Sequence, residues 1–223
     1  METYSFSGED NQRFWTGNKA SYEGEKNSEV LIFLSKAYIG TKLLDAGAGD
    51  GSLVRQLKKA FPDAQVEGVD IAPKSDDVEQ GDIANLAYRD GSFDTIFCVE
   101  VIEHLTEKDT SKVLTGLNRI VSPGGMVIIT TPYAENLEES TVTCPKCNIR
   151  FHRWGHQQSF QEKDFERLSK ENGFEPVAIF PVKYSRVRRL RILGARYFMT
   201  RRWVRSMHKA RGKRHLIMIA RKP

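Results

Sequence analysis

The chain has 223 residues, 39% hydrophobic and 28% charged, with 34 Lys and Arg against 29 Asp and Glu. That length supports one domain with a sizeable core, and no apolar run approaches the ~20 residues of a membrane span. The N-terminus, METYSFSGEDNQRFW, lacks a basic stretch followed by an apolar one, so no secretory signal is legible and a cytoplasmic location is expected, with the three cysteines reduced. Charge is unevenly placed. Residues 176–223 carry fifteen of the Lys and Arg and no acidic residue, which leaves residues 1–175 at a net −10. An acidic body with a basic C-terminal segment predicts an anionic partner.

In chain order, KLLDAG (Lys42–Gly47) reads as a buried strand and SLVRQLKKAF as a helix with Leu53, Leu57 and Ala60 on one face, stopped by Pro62. QVEGVD is a second strand, and FDTIFCVEVI is another that runs into a helix. DTSKVLTGLNRIV reads as an amphipathic helix ended by Ser122-Pro123-Gly124-Gly125, and MVIITTP as a β-branched strand. FQEKDFERLSKENGF predicts a helix closed by Gly173. EPVAIFPV and RHLIMIAR are the last strands, on either side of the basic segment. Alternating strands and helices predict a doubly wound α/β sheet with ligands at the carboxyl ends of its strands.

LLDAGAGDGSL carries the most chemistry. A strand ends at Asp45, and Gly47, Gly49 and Gly51 allow a tight turn and close backbone approach to a ligand before a helix starts. Asp70 ends the next strand, where a carboxylate accepts hydrogen bonds from ribose hydroxyls. Gly-x-Gly alone does not separate nucleotide classes.

The ordered set DAGAGDG, GVDIAP, GDIANL, FDTIFCVEVIEHL, VSPGG and TTP, from about Leu43 to Phe174, resembles the class I S-adenosylmethionine-dependent methyltransferases. The resemblance implies a Rossmann-like, seven-stranded, mostly parallel sheet with the last strand antiparallel. It also implies a single domain over 1–223: a helical cap at 1–40, a cofactor core at 41–182 holding a substrate loop at 140–158, a basic helical insert at 183–213 and a last strand at 214–223. Carried over by motif, Asp45, Gly47 and Gly49 surround the methionine part of S-adenosylmethionine, and Asp70 holds the ribose. Ile71, Asp82 and Ile83 border the adenine, and Glu100 faces the sulfonium. Such chemistry asks the protein to align the acceptor and remove its proton.

VEVIEHL, TTP and HQQSF resemble the ubiquinone O-methyltransferases and the enzymes that 2′-O-methylate the 3′ ends of small RNAs. That likeness implies Mg²⁺ or Mn²⁺ held by Glu100, Glu103, His104 and His156. Helical spacing would put Glu100, Glu103 and His104 on one face. Without an ion, His156 or His104 is the expected general base, with Glu103 beside them. EHL also has a plainer reading, Glu103 favouring a helix start and His104 packing. Cys144-x2-Cys147-x4-His152-x3-His156 has the spacing of a compact zinc knuckle. Because the resemblance gives His156 to the active site, the candidate Zn²⁺ ligands are Cys144, Cys147, His152 and an unidentified fourth. The alternative is a substrate loop with plain thiols.

Between the last strands, Val187, Leu190, Leu193, Tyr197, Val204 and Met207 recur at near-helical spacing among arginines, with Trp203 and Phe198. This basic helix, 184–213, suits a peripheral membrane contact at the inner face or phosphates of nucleic acid. A packed insert with a solvated basic face is the plain alternative. The expected activity is O-methylation of a sugar or other hydroxyl on a lipid-linked or anionic acceptor such as a lipid-linked glycan. RNA 2′-O-methylation and a non-catalytic binding protein of the same fold are the alternatives.

Overall fold

The structure, a computed structural model, describes residues 3–17, 24–192 and 214–223. Residues 193–213, the larger part of the expected basic insert, lie outside the described set.

Two helices, α1 (Gly8–Gly17) and α2 (Gly24–Ser35), precede β1 (Lys42–Ala46). Then follow α3 (Ser52–Ala60), β2 (Gln65–Asp70), β3 (Glu79–Gln80), β4 (Phe93–Val99), α4 (Glu107–Ile120) and β5 (Val121–Pro132). A hairpin of β6 (Thr141–Thr143) and β7 (Arg150–His152) leads to α5 (Glu162–Glu171), β8 (Glu175–Val182), α6 (Tyr184–Ile192) and β9 (His215–Arg221). Seven strands form one sheet in the order β3-β2-β1-β4-β5-β9-β8. β9 runs antiparallel to both β5 and β8, and the other pairings are parallel. This is the doubly wound sheet with an antiparallel last strand that the sequence led us to expect.

Both faces of the sheet are buried, and side-chain alternation sorts the core into two layers. Leu44, Ala46, Ile96, Cys98, Val127, Ile129, Met218 and Ala220 face α4 and α5. Leu43, Phe97, Met126, Ile128, Ile217 and Ile219 face α2, α3 and α6. α4 presents Val113, Leu114, Leu117 and Ile120 to its layer, and Thr106 caps its start by accepting the Asp109 N–H. Its far end is held from β9: Lys222 Nζ donates to the carbonyls of Asn118 (2.7 Å) and Val121 (2.9 Å). A cation there satisfies carbonyls that a helix end leaves unpaired.

Three details differ from the sequence reading. β3 has only two residues, too few to show a period. β5 begins at Val121, so Ser122-Pro123-Gly124-Gly125 lies within the strand; the register against β4 shifts between Phe93 and Thr95. After β4 the chain does not continue into a helix. Glu100 takes a left-handed φ of 56° and only a short 3₁₀ turn, Ile102–His104, follows.

The layer between β4 and its helices should be unforgiving. Phe97 is fully buried at the centre of the sheet, so Phe97→Ala is expected to lower unfolding free energy by ~3–5 kcal/mol, read by urea denaturation.

Candidate active site

The site lies along the carboxyl ends of β1, β2, β4 and β5. Strand order reverses between β1 and β4, which opens a crevice there. The turn after β1 is drawn onto β2: the Gly47 and Ala48 N–H groups donate to the Val69 carbonyl at 2.8 and 3.0 Å. Asp70 completes the hold, accepting from Gly49 N–H through Oδ2 and Ala72 N–H through Oδ1, each at 2.8 Å. Gly47 has φ 89°, and a Cβ there would sit 2.3 Å from Val101 Cγ2, so no side chain fits. Gly51, at φ 73°, caps α3.

Asp45, the penultimate residue of β1, is only 2% exposed, and its Oδ1 has no hydrogen-bond partner. Burial, reinforced by the nearby charges of Asp70 and Asp50, pushes its carboxyl up to about 8. Asp82 spends its side chain locally, accepting from the Ala84 N–H (2.8 Å) and the Asn85 amide (2.6 Å). Ile83 is buried against Val69 and the α4 layer, next to the crevice.

The second half of the site is a histidine and carboxylate cluster. Donor atoms of Glu103, His104 and His156 lie within 4.8 Å of one another. Glu103 Oε2 and His104 Nδ1 are buried and have no hydrogen-bond partner. Burial, then the neighbouring Glu100 charge, raises Glu103 well above the usual carboxylate range. Burial and the His156 charge lower His104 to about 3, so it is a weak base. Glu100 does not join them. Its Oε1 accepts from Thr130 Oγ1 (2.7 Å), and its Oε2 lies 3.0 Å from His215 Nδ1. Burial alone would raise its carboxyl, but His215 and Thr130 more than offset this and hold it below the ordinary range. The expected shared face of Glu100, Glu103 and His104 fails because the left-handed Glu100 and the 3₁₀ turn break the helical spacing on which it relied.

The cysteine clip is corrected too. Cys144 and Cys147 sit at the tip of the β6–β7 hairpin, where Asn148 N–H donates to the Cys144 carbonyl (2.9 Å). Backbone N–H groups of Cys147 and Lys146 at the Cys144 sulfur lower that thiol. His152 pairs with Thr141, three residues before Cys144, a span of ~10 Å along a strand. It is 2% exposed as a side chain and turns inward to stack on His156, ring centroids 4.5 Å apart, with Glu135 at 3.7 Å. The two cysteines and this histidine therefore do not converge.

Several contributors were not legible in the sequence. Glu135 Oε2 lies 2.5 Å from His156 Nδ1. Gln157 and Gln158 fasten the Glu103–Leu105 turn: their backbone N–H groups donate to the Glu103 carbonyl, and their amides donate to the carbonyls of His104 (2.6 Å) and Leu105 (2.7 Å). Trp15 of α1 stands edge-on to His104 at 5.0 Å, Lys74 lies over its ring, and Gln12 reaches the Ile71 carbonyl. α1 thus roofs the crevice from Ile71 to His104. HQQSF hinted at Gln157 and Gln158 only through its closeness to His156.

Comparison with known proteins agrees with this geometry. The model of a methyltransferase domain family matches residues 14–179. The chain belongs to that family. Among relatives of this methyltransferase, a ubiquinone biosynthesis O-methyltransferase from Chromobacterium violaceum is 35% identical over 124 residues, which is 48% of this chain and 52% of that protein. A tRNA (carboxymethyluridine(34)-5-O)-methyltransferase from Arabidopsis thaliana is 33% identical over 124 residues, 52% of this chain and 30% of that one. The match thus spans about half or less of the curated relatives. Geranyl diphosphate C-methyltransferase from Streptomyces coelicolor A3(2), solved with Mg²⁺, geranyl diphosphate and S-adenosyl-L-homocysteine, shares the fold. Its TM-score is 0.61 at 15% identity, covering 99% of this chain and 100% of that one. S-adenosylmethionine is the cofactor of this fold class, and the methyltransferase has the glycine turn and acidic strand ends to receive it.

Asp45 gives this pocket a measurable cost. Its folded pKa, about 8, lies above the ~3.9 of an unfolded Asp. Ionisation is therefore resisted only in the native state, and stability falls as pH rises from ~4 to ~8. Asp45→Asn is expected to leave stability near pH 4 little changed and to raise it progressively toward pH 8. Urea denaturation across that range reads it.

Proposed function

We propose that this methyltransferase moves the methyl group of S-adenosylmethionine to a hydroxyl oxygen of an anionic or lipid-linked small molecule, a sugar hydroxyl of a lipid-linked glycan being the favoured acceptor. The observation that carries the reading is the convergence of Glu103, His104 and His156 beside the glycine turn, under the roof of α1. In the reaction the acceptor oxygen attacks the methyl carbon in line with the departing sulfur. The C–S bond breaks, its electrons stay on sulfur, and S-adenosylhomocysteine leaves. The hydroxyl proton passes to His156, the more exposed imidazole of the cluster and so the better placed to meet a substrate. Asp70 takes the ribose hydroxyls on the lone pairs that its two backbone donors leave open. Asp45 lies under the methionine part, where the cofactor's positive charge offsets a buried carboxylate.

A divalent cation is a second reading, favoured by the buried and unpartnered Glu103 Oε2 and His104 Nδ1. One carboxylate and two imidazoles suit Mn²⁺ or Zn²⁺ better than Mg²⁺. Glu103, His104 and His156 would hold it, and when bound it would lower the pKa of an acceptor hydroxyl. Nature of the acceptor rests on the basic segment 176–223, which suits an anionic surface. Both relatives described above are named as O-methyltransferases, one of them acting on tRNA, which keeps RNA as the competing acceptor.

Transfer of radiolabelled methyl into fractionated lipid, glycan and RNA pools tests the reading. Label in the glycan or lipid pool supports it, and label confined to RNA redirects it. Two variants are expected to part binding from chemistry. Asp70→Ala should abolish cofactor uptake by calorimetry. His156→Ala should keep uptake while kcat falls ~10²–10⁴-fold.

A further inference from the structure

Glu135, His152 and His156 form a group that neither the sequence motifs nor the proposed chemistry assigns. Their donor atoms also lie within 4.8 Å of one another, a spacing that would admit a second cation. The hydrogen bonds decide otherwise. His152 Nδ1 accepts the backbone N–H of His156 at 3.1 Å and that of Trp154 at 3.4 Å. A nitrogen that accepts carries no proton, so neutral His152 keeps its proton on Nε2. A protonated Nε2 cannot ligate a metal. It is a donor, buried without a hydrogen-bond partner, and the nearest carboxylate oxygen is Glu135 Oε1 at 3.7 Å.

The same logic fixes the other ring. Glu135 Oε2 sits 2.5 Å from His156 Nδ1, and an ionised carboxylate only accepts. His156 must then carry its proton on Nδ1, which leaves Nε2 with the free lone pair. We infer that Glu135 is a positioning residue: it holds His156 in the Nδ1–H tautomer and so leaves Nε2 with the free lone pair, while His152 stacks on the ring of His156. This rests on the reading of His156 as the group that meets the acceptor hydroxyl. It serves that reading with or without an ion, since a base needs an open nitrogen and so does a ligand.

The backbone supports the assignment. Ala134, immediately before Glu135, has a left-handed φ of 48°. For a residue with a Cβ that conformation costs ~1–2 kcal/mol. Its N–H donates to the Phe160 carbonyl at 2.9 Å, tying the turn to the segment that also carries His156. The turn after β5 thus departs from the extended path and delivers Glu135 to the histidine. The rings are boxed in as well. His152 stacks on one side of His156, 20° from parallel, and His104 meets it edge-on at 4.7 Å. Packing of this kind fixes the ring plane but not which nitrogen holds the proton, and that choice falls to Glu135.

Long-range ¹H–¹⁵N correlation spectra of the full chain, recorded at alkaline pH where imidazoles are neutral, distinguish the two tautomers of each histidine without any turnover. The expected result is Nδ1–H for His156 and Nε2–H for His152. Glu135→Gln should erase the single-tautomer signature of His156 and lower kcat ~10–100-fold, with cofactor affinity unchanged. Glu135→Asp, which keeps the carboxylate, should restore much of both. An Nε2–H tautomer for His156 in the parent protein would overturn the inference, as would a His156 spectrum identical in Glu135→Gln. Because the spectra need no acceptor, they judge the positioning role separately from the methyl-transfer experiment, which judges the function.

Discussion

Asp70 is the point on which the cofactor half of the molecule turns. One carboxylate takes the Gly49 N–H and the Ala72 N–H at the same 2.8 Å, so the loop after β1 and the loop after β2 are held by a single side chain. Gly47 and Ala48 add their own bonds to the Val69 carbonyl. The crevice is therefore shaped before any ligand arrives, and binding need not order this part of the backbone. Pre-formed backbone of this kind reduces what association must spend on ordering. β1 and β2 can be joined so closely because both strands lie inside a sheet covered on its two faces, where there is little room to shift.

The other half of the site is governed by buried charge. Glu100, Glu103 and Glu135 all approach a cluster of histidines. Their fates differ because each finds different donors. Glu100 has His215 and Thr130 and stays ionised. Glu103 keeps an unpartnered oxygen and is driven toward its neutral form. Glu135 has His156 at hydrogen-bonding distance and His152 nearby. Buried charges persist where donors or counter-charges compensate them, and among the described residues none donates a hydrogen bond to Glu103 Oε2. α1 adds Trp15, which stands edge-on to His104 at 5.0 Å.

Much of the fold was legible because it rests on local rules. The near-continuous apolar runs of the buried strands, the glycine turn from β1 into α3 and the spacing of Val113, Leu114, Leu117 and Ile120 are written in contiguous residues. β3 was missed because two residues carry no period. The helical face expected for Glu100, Glu103 and His104 was wrong for a subtler reason. Spacing along a chain implies a shared face only if the backbone stays helical, and a left-handed Glu100 ends that condition. The zinc spacing misled in the same way. A hairpin places Cys144 and Cys147 at its tip and His152 rungs away, so neighbours in sequence face different surroundings.

The sequence by itself determined the longer strands and helices, the glycine turn and the acidic strand ends, because each depends on a short contiguous stretch, whereas the seven-stranded sheet and the set Glu103, His104 and His156 were expected from the family resemblance. Only the tertiary structure decided the partners of those groups: His215 for Glu100, Glu135 for His156, Gln157 and Gln158 for the Glu103–His104 turn, Trp15 for His104. These partners come from 21 to 115 residues away for the first two pairings alone. No periodicity reports such contacts. They exist because packing the two layers against the sheet brings the loops at the strand ends together, and the protonation of each buried group follows from which donors arrive there.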